Sequence, residues 1–422
     1  MTEAVNQLCN TDSTDVAIIG AGPSGTIAAA LLRKLGHQVT IVEQSHFPRF
    51  SIGESLLPQC MVFIEEAGMT EAVQAANFQY KNGAAFVRNG QRAHFDFREK
   101  FSEGPGTTFQ VQRADFDNVL AQQAIAAGAD IRFGHRIEQF EYETNPDQTT
   151  VPVLQVRNEQ GELIKLRSRY VLDASGFGRV LPRLLDLETP SSMPTRSSMF
   201  THVQDNISDA SYDREKILIA IHPELSDVWY WLIPFSNGRC SLGVVAEQSF
   251  FNDDLSPETL LKDSVAACPD LANLLSDAVF DTPVNKISGY SCNVKSLWGK
   301  HFALLGNAGE FLDPVFSSGV TIAMQSASLA VPLIDRQLKG ESVDWETEYG
   351  QALRRGVETF RTYVNAWYAG DFQEVVFAQN PDPKIKAMIS SILAGYAWDT
   401  NNPYVKESRR RLKTLVSLCK AA

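Results

Sequence analysis

Six consecutive residues, Gly20-Ala21-Gly22-Pro23-Ser24-Gly25, place glycines at the spacing GxGxxG. They follow a short apolar run at 15–20 (DVAIIG) and open an Ala- and Leu-rich segment at 23–35. At such a junction Gly20 permits a tight turn, and Gly22 lets the backbone approach a pyrophosphate. Gly25 allows the helix to pack closely on the strand, with Ser24 in the same turn. The phosphates then face the free N–H groups of a helix N-terminus, where the dipole favours negative charge. Glu43 ends the next apolar run, 39–43 (VTIVE), and is placed to hydrogen-bond a ribose hydroxyl. Strand, glycine turn, helix, strand and acid in this register specify dinucleotide binding. Two further segments share the texture: Asp173-Ala174-Ser175-Gly176-Phe177-Gly178, and Gly306-Asn307-Ala308-Gly309 leading into Asp313-Pro314.

The elements that must position these groups can be read from periodicity. Residues 15–20, 39–43, 170–173 and 302–306 are short apolar runs suited to buried parallel strands. Segments 23–35, 55–68, 70–76 and 116–128 have helical spacing, and strands are expected at 131–142 and 151–157. Between 181 and 288 the texture changes. Residues 216–221 and 229–245 are rich in β-branched and aromatic side chains, which predicts a second sheet. From about 345 onward the pattern is helical, and Leu353, Val357, Phe360, Val364 and Trp367 form one apolar packing stripe. The basic run at 409–413 reads as a solvated helix face.

With these residues in place, the chain resembles the FAD-dependent monooxygenase superfamily (p-hydroxybenzoate hydroxylase-like). In that pattern Gly306 and Asn307 stand at a Gly-Asp motif whose acid holds the flavin ribityl chain. Asn307 keeps the hydrogen bond without the charge, and Asp313 resembles the pattern's second acid. Four segments narrow the resemblance to flavin-dependent halogenases of the short phenol or pyrrole type. They are Phe47-Pro48-Arg49-Phe50-Ser51-Ile52-Gly53-Glu54-Ser55; Lys81 within Phe78-Gln79-Tyr80-Lys81-Asn82-Gly83; Trp229-Tyr230-Trp231-Leu232-Ile233-Pro234, which matches WxWxIP; and the loop from Phe311 to Val320.

The resemblance implies that reduced FAD, oxygen and chloride or bromide yield hypohalous acid, which Lys81 hydrogen-bonds or captures beside the substrate. It places the halide at Ser317, Ser318 and Gly319, where neighbouring amides make an anion-binding concavity. It places Gly20, Gly22, Ser24, Gly25, Glu43, Arg49, Ser51, Ile52, Arg113, Asp173, Gly306, Asn307 and Asp313 at the cofactor. Trp229, Trp231, Pro234 and Phe316 are then expected at the substrate. Phe316 stands where tryptophan halogenases carry a glutamate, so the expected substrate is an activated aromatic ring, free or tethered to an acyl or peptidyl carrier protein. Only one full dinucleotide fingerprint is present, so a separate flavin reductase is expected to supply FADH2. The alternatives are an FAD hydroxylase, monooxygenase or dehydrogenase without halide chemistry, and a catalytically lapsed flavoprotein that binds a carrier protein.

Composition sets the outer bounds. The 422 residues are 44 % hydrophobic and 21 % charged, the balance of a globular chain, and the net charge of −12 argues against nucleic-acid and anionic-membrane partners. The polar first 14 residues lack signal-peptide character, no apolar run is long enough to span a bilayer, and a cytoplasmic protein is expected. The six cysteines form no CxxC pair and the seven histidines no cluster, so no metal site is expected. The expected fold is α/β. A Rossmann-like FAD-binding domain is drawn from 1–180 and 289–344, with about 80–112 contributing to the substrate side. A β-sheet substrate domain occupies 181–288, and a C-terminal helical region 345–422.

Overall fold

The computed structural model describes residues 11–191, 193–252, 254–310 and 312–421; Phe311 of the late loop and Cys9 lie outside them. A six-stranded sheet runs in the order Trp298–Gly299, Phe302–Leu304, Tyr170–Asp173, Val16–Ile19, Val39–Val42, Asp130–Arg132. All pairings are parallel except the first. Every residue of Val16–Ile19, Val39–Val42 and Tyr170–Asp173 is buried, because helices cover one face of the parallel sheet and Leu154, Val156 and Leu166 of a four-stranded sheet cover the other. Register decides the site. Ile19 lies opposite both Val42 and Asp173, and Asp173 lies opposite Leu304. The residues that follow these strand ends therefore emerge along one edge, where open α/β sheets bind their ligands.

A seven-stranded sheet runs in the order Asn285–Ser288, Arg196–Gln204, Arg239–Glu247, Trp229–Pro234, Lys216–Ile221, Gly83–Arg88, Gln91–Asp96. Its last two strands come from early in the chain, and Gly83–Arg88 joins through a parallel pairing with Lys216–Ile221. Segment 229–245 holds two antiparallel strands of this sheet, turned at Asn237-Gly238, where Gly238 has φ +77°. A four-stranded sheet combines Thr11–Ser13, Leu163–Arg167, Thr150–Arg157 and Arg136–Thr144.

Helix Pro23–Lys34 packs on the long helix Ser318–Leu338, bringing the two ends of the site together. In Ala352–Tyr368 all five residues of the apolar stripe are at most 2 % exposed. The predicted helix over 55–68 is shorter, Cys60–Glu66, since Pro58 restricts the residue before it and Ser55 bridges to Gln110. The predicted strand over 131–142 splits at Gly134 (φ +70°) into Asp130–Arg132 and Arg136–Thr144, which serve different sheets. Cys60, Cys240 and Cys268 are buried, while Cys292 and Cys419 are partly exposed. The basic run at 409–413 lies on helix Ser408–Ala421, where Arg410 and Arg411 pair with Glu407 and Arg409 with Glu358. Among the described residues no helix is long and apolar enough to cross a membrane, and no cluster of metal-ligating side chains forms.

Candidate active site

A cavity of about 740 Å³ runs along the carboxyl edge of the parallel sheet and under the antiparallel one. The glycine turn forms one end. Gly20 has φ +96°, and a Cβ there would lie 2.7 Å from the Ala174 carbonyl oxygen. A Cβ at Gly25 would lie 2.1 Å from the Gly20 carbonyl oxygen, so this glycine serves packing alone. At Gly22 the only neighbour within 4 Å would be the Arg49 guanidinium, at 3.8 Å. Gly22 thus leaves an open cradle at the N-terminus of helix Pro23–Lys34, and Ser24 lines it. A pyrophosphate fits that cradle by volume and by charge.

Glu43 borders the same end. Its carboxylate accepts the backbone N–H groups of Ala21 and Ser45, each at 2.9 Å, which tie the strand end to the glycine turn. Arg49 faces the cavity with its guanidinium over the Phe47 ring and its Nη1 3.0 Å from Asp117. Asp117 is fully buried and also takes a bidentate bond from Arg113 at 2.7 and 2.9 Å. Arg113 donates its remaining Nη1 to the Ile52 carbonyl at 2.6 Å, fixing Ser51 and Ile52 at the wall. No motif of the sequence singles out Asp117. Its position four residues after Arg113 on a helix is the signal that could have found it.

Asn307 lines the cavity, and its carbonyl accepts Arg179 at 3.2 Å. Gly306 has φ +52° and donates its N–H to Ser326, standing just behind the wall. Asp173 also stands behind it. Fully buried, it accepts the N–H groups of Ser175 and Leu181 at 2.9 and 2.6 Å, and Ala174 and Ser175 face the cavity in its place. Burial raises the Asp173 carboxyl above its ordinary range, against the lowering by those bonds.

At the far end Ser317 takes the left-handed conformation (φ +56°), and its N–H closes a turn onto Pro314. Helix Ser318–Leu338 starts immediately afterwards, so its first-turn N–H groups lack intrahelical partners. Ser317 and Gly319 face the cavity, while the Ser318 side chain is buried. Asp313 lies one layer back. Its carboxylate accepts the Val315 N–H at 3.0 Å and the Tyr368 hydroxyl at 2.8 Å, and burial pushes its pKa up to about 6. The Tyr368 hydroxyl in turn accepts the Trp229 indole N–H at 2.9 Å, and the Arg196 guanidinium sits 3.5 Å above the Tyr368 ring. Tyr368 therefore ties the late loop to the antiparallel sheet.

Trp229 and Trp231 form an aromatic wall with Ile217 and Ile233. Trp231 lies across Gly243, where a Cβ would come within 2.3 Å of the indole. Pro234 closes its strand opposite Cys240, away from the cavity. Phe316 packs edge-on against Trp367 and Phe372 behind the wall. Lys81 is fully buried. Its Nζ donates to Ser55 Oγ at 2.8 Å and to the Leu56 carbonyl at 2.7 Å, and burial pushes its pKa down to about 7. Ser55 lines the cavity; Lys81 stands directly behind it. Glu54, also at the wall, pairs with His202 Nε2 at 2.7 Å, a contact across 148 positions with no local sequence signal.

Comparison with known proteins agrees with this geometry. A family model described as FAD binding domain matches residues 13–348. A 1H-pyrrole-2-carbonyl-(peptidyl-carrier protein) chlorinase of Pseudomonas fluorescens is 28 % identical, over 94 % of this chain and 92 % of its own. A tryptophan 2-halogenase of Chondromyces crocatus is 30 % identical over 82 % of this chain, which spans only 65 % of that enzyme's length. The solved structure of a flavoprotein/dehydrogenase from Cytophaga hutchinsonii superposes with a TM-score of 0.92 at 42 % identity, covering 97 % of this chain and 99 % of that one. The chain belongs to the FAD-binding domain family and is an FAD-dependent oxidoreductase.

Proposed function

We propose that the chain is a flavin-dependent halogenase of an electron-rich, phenol- or pyrrole-like ring, free or tethered to a carrier protein. A separate flavin reductase supplies its reduced FAD in the cytoplasm. The observation that carries this reading is Lys81: a fully buried amine whose pKa burial pushes down to about 7, one side chain from the flavin cavity. Bound reduced FAD would activate oxygen and so oxidise chloride or bromide to hypohalous acid. The cradle at Gly22, with Ser24, Glu43 and Arg49, would hold the dinucleotide; Ser51, Ile52 and Asn307 would border the flavin. The amides after Ser317 would hold the halide against a local positive field. Once the Ser55 side chain turns aside and opens the wall, the lone pair of Lys81 would accept a hydrogen bond from hypohalous acid, or displace hydroxide from the halogen, the amine proton joining that hydroxide as water. Desolvation supplies that lone pair by disfavouring the ammonium. The indoles of Trp229 and Trp231 exclude water and offer flat apolar surface to a ring.

An apolar Phe316 near this wall provides no base, which suits a ring that needs none. The domain division given above, with the flavin domain split around the antiparallel sheet, belongs to the same proposal. The dehydrogenase reading is favoured by one finding, the name of the Cytophaga hutchinsonii relative at 42 % identity. Mass spectrometry of reactions with reduced FAD, oxygen and bromide over a panel of phenols and pyrrolyl-carrier conjugates separates the two. Halide-dependent products heavier by bromine are expected. Products that gain unsaturation or oxygen without any need for halide would overturn the halogenase reading.

A further inference from the structure

Lys81 has no surface of its own on the cavity, so its link to that space must pass through a neighbour. Three extended segments supply it. Strand Gln79–Lys81 pairs with Thr108–Gln110, and Ser55 bridges to Gln110 from the opposite side. Val111 N–H donates to the Glu54 carbonyl at 2.7 Å and Leu56 N–H to the Phe109 carbonyl at 3.2 Å, which pins the segment. The Lys81 side chain reaches across the middle strand, and its two hydrogen bonds end on Ser55 Oγ and on the Leu56 carbonyl. Of these two residues only Ser55 lines the cavity.

Among the described residues the rest of the Lys81 environment offers no counter-charge. Phe97 presents its ring 5.5 Å from Nζ. From helix Cys60–Glu66 the titratable group facing Lys81 is the Cys60 thiol, which burial holds protonated and which lies 3.2 Å from Thr321 Oγ1. The ammonium form is therefore held by one hydroxyl and one carbonyl, and the hydroxyl is the one that touches the cavity.

We propose that Ser55 is the positioning residue that couples Lys81 to the flavin cavity, fixing the amine against the wall and carrying its proton. The proposal rests on the reading of Lys81 as the halogen-relaying amine. In the step it assigns, the Lys81 ammonium gives a proton to Ser55 Oγ while the Ser55 hydroxyl proton passes to a water molecule on the cavity side. The hydroxyl is re-formed and donates to the lone pair of the neutral amine until it rotates away and frees it, and nothing is oxidised or reduced.

The test is the pH dependence of Lys81 acylation by acetic anhydride, read by peptide mass spectrometry on the full chain with FAD bound. In Ser55→Ala the ammonium loses an acceptor, so the midpoint should fall by about one unit, roughly tenfold more neutral amine at a fixed pH. Ser55→Thr, which keeps the hydroxyl, should restore the wild-type midpoint. Halogenation turnover should fall about tenfold in Ser55→Ala, with FAD affinity within about twofold of wild type. An unchanged midpoint in Ser55→Ala overturns the coupling. A shifted midpoint in a protein that makes no halogenated product overturns the halogenase reading and leaves the Ser55–Lys81 contact standing. Should Ser55→Ala not fold, Ser55→Cys replaces it: its weaker acceptor should move the midpoint the same way by less, and a wild-type midpoint there overturns the proposal.

Discussion

The two ends of the cavity are built on opposite principles. At the glycine turn the working groups are backbone N–H groups and glycines close together in sequence, set by the register of three parallel strands. At the Lys81 and Ser317 end the backbone N–H groups after Ser317 are backed by side chains joined across the fold: Trp229 to Tyr368 to Asp313, and Lys81 to Ser55. The first end tolerates little added volume but asks little of side-chain chemistry. The second has side chains whose removal leaves partners unsatisfied in a dry interior. Substitutions should therefore separate folding and cofactor affinity at one end from turnover at the other.

The sharpest break in that comparison is Lys81→Met. Turnover in a halogenation assay should drop by about 10³-fold, the scale of a positioned acid or base, while FAD affinity measured by fluorescence quenching stays near wild type. Asp117→Ala comes next, because it strands Arg113 and Arg49 around a buried site. Urea unfolding should show a loss of about 3–5 kcal/mol, together with weakened FAD binding. Gly25→Ala drives a Cβ into backbone that has little room to move, and about 3 kcal/mol of stability should go, seen as a lower Tm with turnover per bound FAD preserved.

Asp313 gives a pH signature at the far end. Its folded pKa of about 6 lies above its ordinary 3.8, so the native state holds the extra proton. Its contribution is fully present below about pH 4 and is lost as pH rises through 6, on the order of 3 kcal/mol in all. Asp313→Asn should flatten the stability profile across that window, and an unchanged profile would place the proton elsewhere. The smallest effect belongs to Tyr368→Phe, which removes a single hydroxyl bridging Trp229 and Asp313. A loss of about 1 kcal/mol is expected, with indole fluorescence of Trp229 altered and FAD affinity unchanged.

Much of the fold was legible in the sequence, the glycine turn of the first end included. Strands Tyr170–Asp173 and Lys216–Ile221 were read to the residue, and the apolar stripe of Ala352–Tyr368 is buried throughout. Such elements are dictated by local patterns: an uninterrupted apolar run, a glycine at a turn, a period near 3.6. The spacing over 55–68 predicts a helix at Ser55, which is instead extended, because its pairing with Gln110 depends on a segment more than 50 positions away. Asp173 and Phe316, which the motifs point to as site residues, stand behind the wall, since a motif marks a neighbourhood and not which way a side chain turns.

What the sequence determined by itself was the parallel sheet with its glycine turn, the acid at the end of the second strand, and the chemistry that such a turn can hold. Those are short-range consequences of backbone freedom and periodicity. Only the tertiary structure decided that Gly83–Arg88 completes a sheet begun more than a hundred residues later, that Asp117 gathers two arginines, and that Lys81 meets the cavity through Ser55. The reason is physical: a buried charge or amine takes whatever partner the packed chain brings within 3 Å, and sequence spacing does not encode that distance.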